Sequence, residues 1–292
     1  MTLPAAAVTW VSSHAGPVTA VRRLPGATSS IVCEVESEDL RFILRLFDNE
    51  EWLAREPDLA EHEAAVLELI AVHDIPAPEL IAVDRSGEQA GTPAVLMSKI
   101  RGAPVIAPTD IGPWLDGLLD LLPAIASIDA AELRWGYEPW IEEDAPIPPP
   151  WSTAPAAWEE AAGIGVVWDV PSSSRLAHRD YHFANVLWDR GAPTGVVDWV
   201  NACRGPVEID VAHCAQNVGQ LHGPDTAMDL VRRWETLSGT AFDPRWLLRS
   251  ALETGSAHQL AAQWAGLGVH HPAVFYQRHL DALVVRALAE VG

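Results

Sequence analysis

The stretch His178-Arg179-Asp180-Tyr181-His182-Phe183-Ala184-Asn185 is followed thirteen residues later by Asp198, in Gly195-Val196-Val197-Asp198-Trp199. No other feature constrains the chain as much. An H-R-D-x4-N loop with a later Asp is the working set of magnesium-dependent phosphoryl transfer. One Asp takes the proton of an attacking hydroxyl, while the Asn and the second Asp hold the metal on the phosphates of a nucleotide.

The segment between the two motifs reads as a hairpin. Strands Val186–Asp189 and Thr194–Val197 flank the turn Arg190-Gly191-Ala192-Pro193. Pairing 189 with 194 and continuing that register sets Asn185 directly opposite Asp198, with Cβ atoms roughly 4.5–5.5 Å apart. That spacing suits two oxygen ligands on one Mg2+, a hard ion that takes few protein ligands beside the phosphates. Asp180 is the candidate catalytic base. His178 is expected to brace the loop, and His182 to be structural.

Residues 17–47 read as strands: Val18–Leu24, Ile31–Val35 and Arg41–Phe47. A helix is predicted from about Asp58 to Val72, opened by the capping pair Asp58 and Glu61 and stopped by Ile75-Pro76-Ala77-Pro78. Short strands follow at Glu79–Val83 and Ala94–Ser98. Arg45 is a charge among the apolar strand neighbours Ile43, Leu44, Leu46 and Phe47. Leu59, Glu63, Leu67 and Ile70 recur at spacings of four and three, so Glu63 sits on the buried stripe of the helix. A carboxylate there needs a partner. Arg45 and Glu63 are the candidate pair, repeating the strand cation and helix glutamate that position ATP phosphates in kinases.

The loop Gly26-Ala27-Thr28-Ser29-Ser30 offers backbone N–H groups and hydroxyls to phosphates, with Ser29 and Ser30 as candidates. Lys99 is the single lysine, and it lacks the glycines and hydroxyl of a Walker A loop. P-loop chemistry is therefore excluded, and any phosphate-holding cation on the earlier strands must be an arginine.

Beyond Arg101-Gly102-Ala103-Pro104 the pattern turns helical, with a helix near Ile111–Ile128, an irregular excursion from Trp135 to Pro150 and mostly helix from Val207. The expected architecture is α+β in two lobes. Residues 1–100 form a small β-rich nucleotide-binding lobe with one prominent helix. Residues 101–292 form a larger, mainly helical lobe for catalysis and substrate binding. The formal charge of −21 argues against nucleic acid and would attract a cationic substrate. No apolar run has the length of a membrane span, and with no Lys or Arg before Arg22 the N-terminus lacks the basic start of a signal or transit peptide. Three cysteines without C-x-x-C spacing fit a reducing, cytoplasmic compartment.

From about residue 20 to near residue 290 the chain resembles, in order and spacing, the aminoglycoside phosphotransferase / choline kinase family, which has the eukaryotic-protein-kinase-like fold. The resemblance rests on Arg45, Glu63, Leu96-Met97-Ser98, the set His178, Asp180, Asn185 and Asp198, and Gly205-Pro206 through Asp210-Val211-Ala212. It implies a bilobal protein-kinase-like fold, Asp180 as base, and Asn185 and Asp198 as Mg2+ ligands. It also implies that Ser98 and Ile100 offer backbone groups to the purine of ATP or GTP, and that Asp210 braces the catalytic loop. The acceptor it implies is a hydroxylated small molecule. Arg45 departs from the family's Lys, and Leu288–Gly292 lacks the acidic and aromatic ending of aminoglycoside-specific members. Three readings follow: an antibiotic phosphotransferase, a metabolic kinase for a sugar, choline-like or amino-alcohol substrate, and a nucleotide-binding pseudokinase. The pseudokinase is disfavoured because Asp180, Asn185 and Asp198 are all present. A protein kinase is disfavoured because no A-P-E segment follows Asp198.

Overall fold

In the computed structural model, which describes residues 3–25, 30–38, 40–141, 146–166, 168–254 and 257–291, the N-terminal third is built on one antiparallel sheet. The chain opens with helix α1 (Ala5–Ala15) and continues into strands β1 (Val18–Arg23), β2 (Ile31–Ser37) and β3 (Leu40–Leu46). Helices α2 (Glu50–Arg55) and α3 (Leu59–Ile70) follow, then β4 (Leu80–Asp84) and β5 (Ala94–Ser98). β5 inserts between β3 and β4, giving the order β1-β2-β3-β5-β4.

Alternation along β3 assigns its two faces. Phe42, Leu44 and Leu46 join an outer layer in which Ala7, Trp10 and Val11 of α1 cover the sheet. Ile43, Arg45 and Phe47 face α3. Helix α1 is not among the elements read from the sequence. Its apolar stripe is short, and the sheet supplies the burial that holds it. Helix α3 begins where expected, but not by the expected cap. The Asp58 side chain makes no capping bond. It accepts instead from Arg134 Nη2 (2.6 Å) and Trp135 Nε1 (3.2 Å), tying the helix start to the second half of the chain.

The second half begins with β6 (Ala103–Pro104), α4 (Ile111–Leu119), α5 (Leu122–Ser127) and α6 (Pro155–Gly165). Short strands β7 (Leu176–Ala177), β8 (Val186–Asp189), β9 (Ala192–Val196) and β10 (Cys203–Arg204) carry the motif region. Helices α7 (Glu208–His222), α8 (Pro224–Ser238), α9 (Arg245–Leu252), α10 (Ala257–Gly266) and α11 (Ala273–Val291) complete it. The single helix expected over 111–128 divides at Asp120-Leu121, and Pro123 falls in the first turn of α5, where a missing N–H does no harm. The architecture is α+β, strand-rich first and mainly helical after.

The hairpin departs from the expected register. Arg190 and Gly191 both have positive φ (52° and 82°), so the turn is a tight two-residue one and Asp189 pairs with Ala192. A register shift after Trp188 then pairs Leu187 with Gly195 and Val186 with Val196. The Asn185 carbonyl accepts from Val197 N (3.0 Å). Asp198 therefore lies one residue past the position opposite Asn185.

One apolar core runs from α3 and β5 into the helical half, with Leu67, Ile70 and Met97 in the same cluster as Leu115, Trp199, Val218 and Leu283. Asp281 of α11 is buried at the edge of this core and accepts from Ser152 Oγ (2.6 Å), Trp158 Nε1 (2.8 Å), Thr153 N (2.8 Å) and Thr153 Oγ1 (2.7 Å). Cys33, Cys203 and Cys214 are all buried free thiols, and burial pushes each above its ordinary value, Cys203 up to about 12. Among the described residues no helix is long and apolar enough to cross a membrane.

Candidate functional site

A cleft of about 700 Å³ lies between the sheet and the helices, and Ser30, Arg45, Glu63, Ser98, Ile100, Asp180, Asn185 and Asp198 all line it. Ser29 and the loop from Gly26 to Ser29 lie outside the described residues. Ser30 is buried, and its hydroxyl has no partner among the described residues.

The motif loop at His178–Asn185 is held from below by Asp210 of α7. Its carboxylate accepts from His178 N (2.8 Å) and Arg179 N (2.7 Å). Arg179 has φ 72°, a region an Arg rarely adopts, so its surroundings must fix it. Its guanidinium donates to Glu253 Oε2 (2.9 Å) and Glu138 O (3.1 Å) and lies over the rings of Tyr137 and Trp140. His178 is fully buried, with Nε2 3.0 Å from Val197 O and its ring 4.6 Å from that of Trp199. It ties the loop to the strand end that carries Asp198.

Asp180 is partly buried. His213 of α7 places Nε2 3.0 Å from Asp180 Oδ1, and His182 Nε2 stands 3.7 Å away. Burial alone would raise this carboxyl. The hydrogen bond from His213 and the positive potential of His182, His213 and His178 outweigh it and hold Asp180 well below the usual carboxylate range. Burial pulls His182 the other way, down to about 4. Its imidazole belongs to the site itself, beyond the structural role expected of it, because Asn185 Nδ2 lies 3.3 Å from His182 Nε2.

At the sheet side, Arg45 Nη1 meets Glu63 Oε1 at 2.8 Å and Nη2 meets Asp198 Oδ1 at 2.6 Å. One guanidinium thus joins the two carboxylates. Burial pushes Glu63 up to about 7 against the pull of Arg45, and the nearby Asp198 charge adds to the rise. When both are ionised the two carboxylates exceed the one guanidinium by a negative charge, and Glu63 Oε2 has no partner among the described residues. A cation fits this group. Asn185 gives its Nδ2 to Asp180 O (2.9 Å), which leaves Oδ1 available, and with Asp198 it forms an oxygen donor set suited to magnesium. Asp180, His182 and His213 also bring donor atoms within 4.8 Å of one another, but two imidazoles and a carboxylate suit a softer ion.

The connector after β5 differs between its two candidates. The Ser98 N–H donates to Glu79 O (2.8 Å), so Ser98 cannot offer that group. Ile100 makes no backbone hydrogen bond among the described residues, which leaves both of its peptide groups for a ligand. Lys99 is held by Glu34 (2.7 Å).

Sequence reasoning missed His213 and the residues that follow it on the same helix face, Gln216, Asn217 and Gln220, all of which line the cleft. The signal was present as a polar stripe at spacings of three and four inside an otherwise apolar helix.

A family model described as "Phosphotransferase enzyme family" matches residues 20–272. None of the curated proteins compared with it matches the chain. Among solved structures, it is similar to a thermostable mutant of the aminoglycoside phosphotransferase APH(4)-Ia in ternary complex with ADP and hygromycin B. That pair is 18% identical with TM-score 0.65, covering 96% of this chain and 98% of the other. It is also similar to choline kinase LicA from Streptococcus pneumoniae (15% identity, 97% of each chain, TM-score 0.61). A third is the macrolide 2'-phosphotransferase MphH from Brachybacterium faecium (15% identity, 95% of this chain and 97% of that one, TM-score 0.53). At these identities the likeness is one of fold, the bilobal kinase-like one. These three proteins differ in the molecule they bind or phosphorylate, so the fold by itself names no acceptor.

Proposed function

Because the chain belongs to the phosphotransferase enzyme family, we propose that it transfers the γ-phosphoryl group of ATP or GTP to a hydroxyl of a small molecule, with an antibiotic as the first acceptor class. The observation that carries the reading is convergence in one cleft. Asp180 stands at the acceptor end, Asn185 and Asp198 offer oxygens, and the buried Arg45 joins Glu63 to Asp198.

In this reading the acceptor oxygen forms its bond to the γ-phosphorus as the bond to the β–γ bridging oxygen breaks. The acceptor proton passes to Asp180 and the nucleoside diphosphate leaves. The histidines keep Asp180 ionised, which suits it to orient the acceptor hydroxyl and to take the proton only as that oxygen bonds to phosphorus and becomes acidic. Asn185 and Asp198 would hold Mg2+, which when bound supplies positive charge to the phosphate oxygens. Arg45 fixes the Asp198 carboxylate and presents a permanent cation to the phosphates, with Ser29 and Ser30 as loop donors. Ile100, and Ser98 through its carbonyl, would meet the purine. The nucleotide-binding lobe would comprise residues 1–100 and the catalytic lobe residues 101–292, in a cytoplasmic enzyme.

A metabolic kinase for a sugar is the second reading, favoured by the uncharged carboxamides of α7 along the far end of the cleft. A nucleotide-binding pseudokinase is the third, and the presence of Asp180, Asn185 and Asp198 in one cleft speaks against it. The test is nucleoside diphosphate release with Mg2+ and ATP or GTP against a panel of aminoglycosides, macrolides, peptide antibiotics, choline and sugars. Asp180→Asn is expected to lower transfer by about 10²–10⁴-fold while ADP binding, measured by calorimetry, persists. Transfer to none of the acceptors, or transfer indifferent to Asp180→Asn, would overturn the reading.

A further inference from the structure

Helix α7 turns a polar stripe toward the cleft. His213, Gln216, Asn217 and Gln220 are spaced by threes and fours and share one face. The three carboxamides are 3%, 8% and 2% exposed in that order. A helix in an apolar core buries such groups at a loss unless each is matched. Protein partners take only part of their capacity. Gln216 Nε2 donates to Thr254 Oγ1 (2.6 Å), Asn217 Nδ2 donates to His213 O (2.9 Å), and Gln220 Oε1 accepts from Trp264 Nε1 (2.9 Å). Asn217 Oδ1 and Gln220 Nε2 have no protein partner among the described residues. The buried Ser250 Oγ of α9, lining the same space, has none either.

Charge in this half of the cleft is already matched. Among the described lining residues the carboxylates are Glu63 and Asp198, which share Arg45, and, beside α7, Asp180 and Glu253. Asp180 is held by His213, and Glu253 is held by Arg179 (2.9 Å) and the Tyr137 hydroxyl (3.0 Å). A desolvated ammonium needs a carboxylate of its own, and neither of these is free to give one. Trp140 stands at the rim, 40% exposed, its ring fixed 3.7 Å over the Arg179 guanidinium. It presents a rigid apolar surface of the kind that the C–H face of a saturated ring can cover.

We infer that this half of the cleft takes a neutral, polyhydroxylated ring, a glycoside or cyclitol without ammonium groups. The inference rests on the phosphotransfer reading above and names the chemical class of its acceptor. Hydroxyls both donate and accept, so they match an unpartnered carbonyl, an unpartnered amide N–H and an unpartnered hydroxyl together. The inference departs from the cationic acceptor that the overall charge of −21 suggests, because the local carboxylates already have partners.

Saturation-transfer NMR on the full chain with ADP and Mg2+ tests it, using trehalose, methyl glucoside and myo-inositol against hygromycin B and choline. Ring protons of a neutral probe are expected to saturate, with affinity falling about tenfold or more in Trp140→Ala and in Gln220→Leu. Trp140 is a rim residue, so Trp140→Ala keeps the test valid should Gln220→Leu not fold. Saturation confined to hygromycin B or choline, no saturation of any neutral probe, or a neutral signal that survives both substitutions would overturn the inference. The ADP-release assay separates the two failures. Transfer to hygromycin B without neutral binding sinks the neutral acceptor and leaves phosphotransfer standing. Neutral binding without transfer to any acceptor sinks phosphotransfer instead.

Discussion

Replacing Arg45 by methionine removes the guanidinium that joins Glu63 (2.8 Å) to Asp198 (2.6 Å). Methionine keeps an unbranched apolar stem in the same space, so the change falls mainly on the charge. Glu63 is 1% exposed, and a buried carboxylate that loses its partner destabilises by about 3–5 kcal/mol. That loss depends on pH, because the folded protein can neutralise Glu63 by protonating it. Burial raises Glu63 to about 7 even with Arg45 in place, from an ordinary 4.5. Without Arg45 it rises further. For a carboxyl whose folded value lies above its unfolded one, stability is retained at low pH and lost as the pH climbs through that window. The slope is at most ~1.4 kcal/mol per pH unit. The Arg45→Met protein should therefore fall short of wild type by about 3–5 kcal/mol at pH 8, and by less at pH 6. Urea unfolding followed by tryptophan fluorescence at the two pH values measures the difference. A deficit below ~1 kcal/mol, or one equal at both pH values, would refute the account of Arg45 as the counter-charge of Glu63. Arg45→Lys should be milder, losing one charge-assisted bond at about 1.5–3 kcal/mol, since an ammonium cannot bridge both carboxylates as the fork does.

His213→Leu removes the 3.0 Å contact on Asp180 and lets burial raise that carboxyl. The acid limb of the kcat/KM profile should move to higher pH, and kcat should fall by roughly 10–100-fold; an unmoved limb would reduce His213 to packing. Asp281→Asn sets an amide against donors that now meet a carboxylate, with an expected loss of about 2–4 kcal/mol in urea unfolding, and a loss near zero would contradict the hydrogen bonds described. Burial raises the wild-type Asp281 carboxyl, but the bonds from Ser152, Trp158 and Thr153 outweigh it and hold it below 3.8. Its contribution is present above the ordinary value and disappears as the pH falls through the folded one, so acid unfolding of the Asn variant should be less steep below pH 4. Asp210→Asn turns an amide toward one of the two N–H groups that it now accepts, from His178 and Arg179. It should lower kcat more than it changes the KM for ATP, and the opposite pattern in steady-state kinetics would count against its brace role.

The motif loop was legible because its chemistry is written at fixed local spacing, and Arg45 and Glu63 because a charge inside an apolar period demands a partner. The Arg45–Asp198 contact was not legible, since it joins residues 153 positions apart and no periodicity reports such a distance. The hairpin register failed on turn chemistry. A four-residue loop was read where Arg190 and Gly191 adopt positive φ and close a two-residue turn. Asp58 looked like a helix cap because sequence shows its neighbours and hides Arg134 and Trp135, which claim its carboxylate. The α7 stripe went unread for a related reason. Gln216, Asn217 and Gln220 are ordinary residues for a helix surface, and only the packing of α8, α9 and α11 around α7 turns that face inward.

The three buried thiols make the protein chemically silent toward maleimides and iodoacetamide, because a thiol must be both exposed and ionised to react. Any cysteine placed on the surface then becomes a unique handle. Val72, just past α3 in the strand-rich part, and Val285, on α11 in the helical part, are both exposed. A dye at each would report the separation of the two lobes as nucleotide and acceptor arrive, with no native sulfur to remove first.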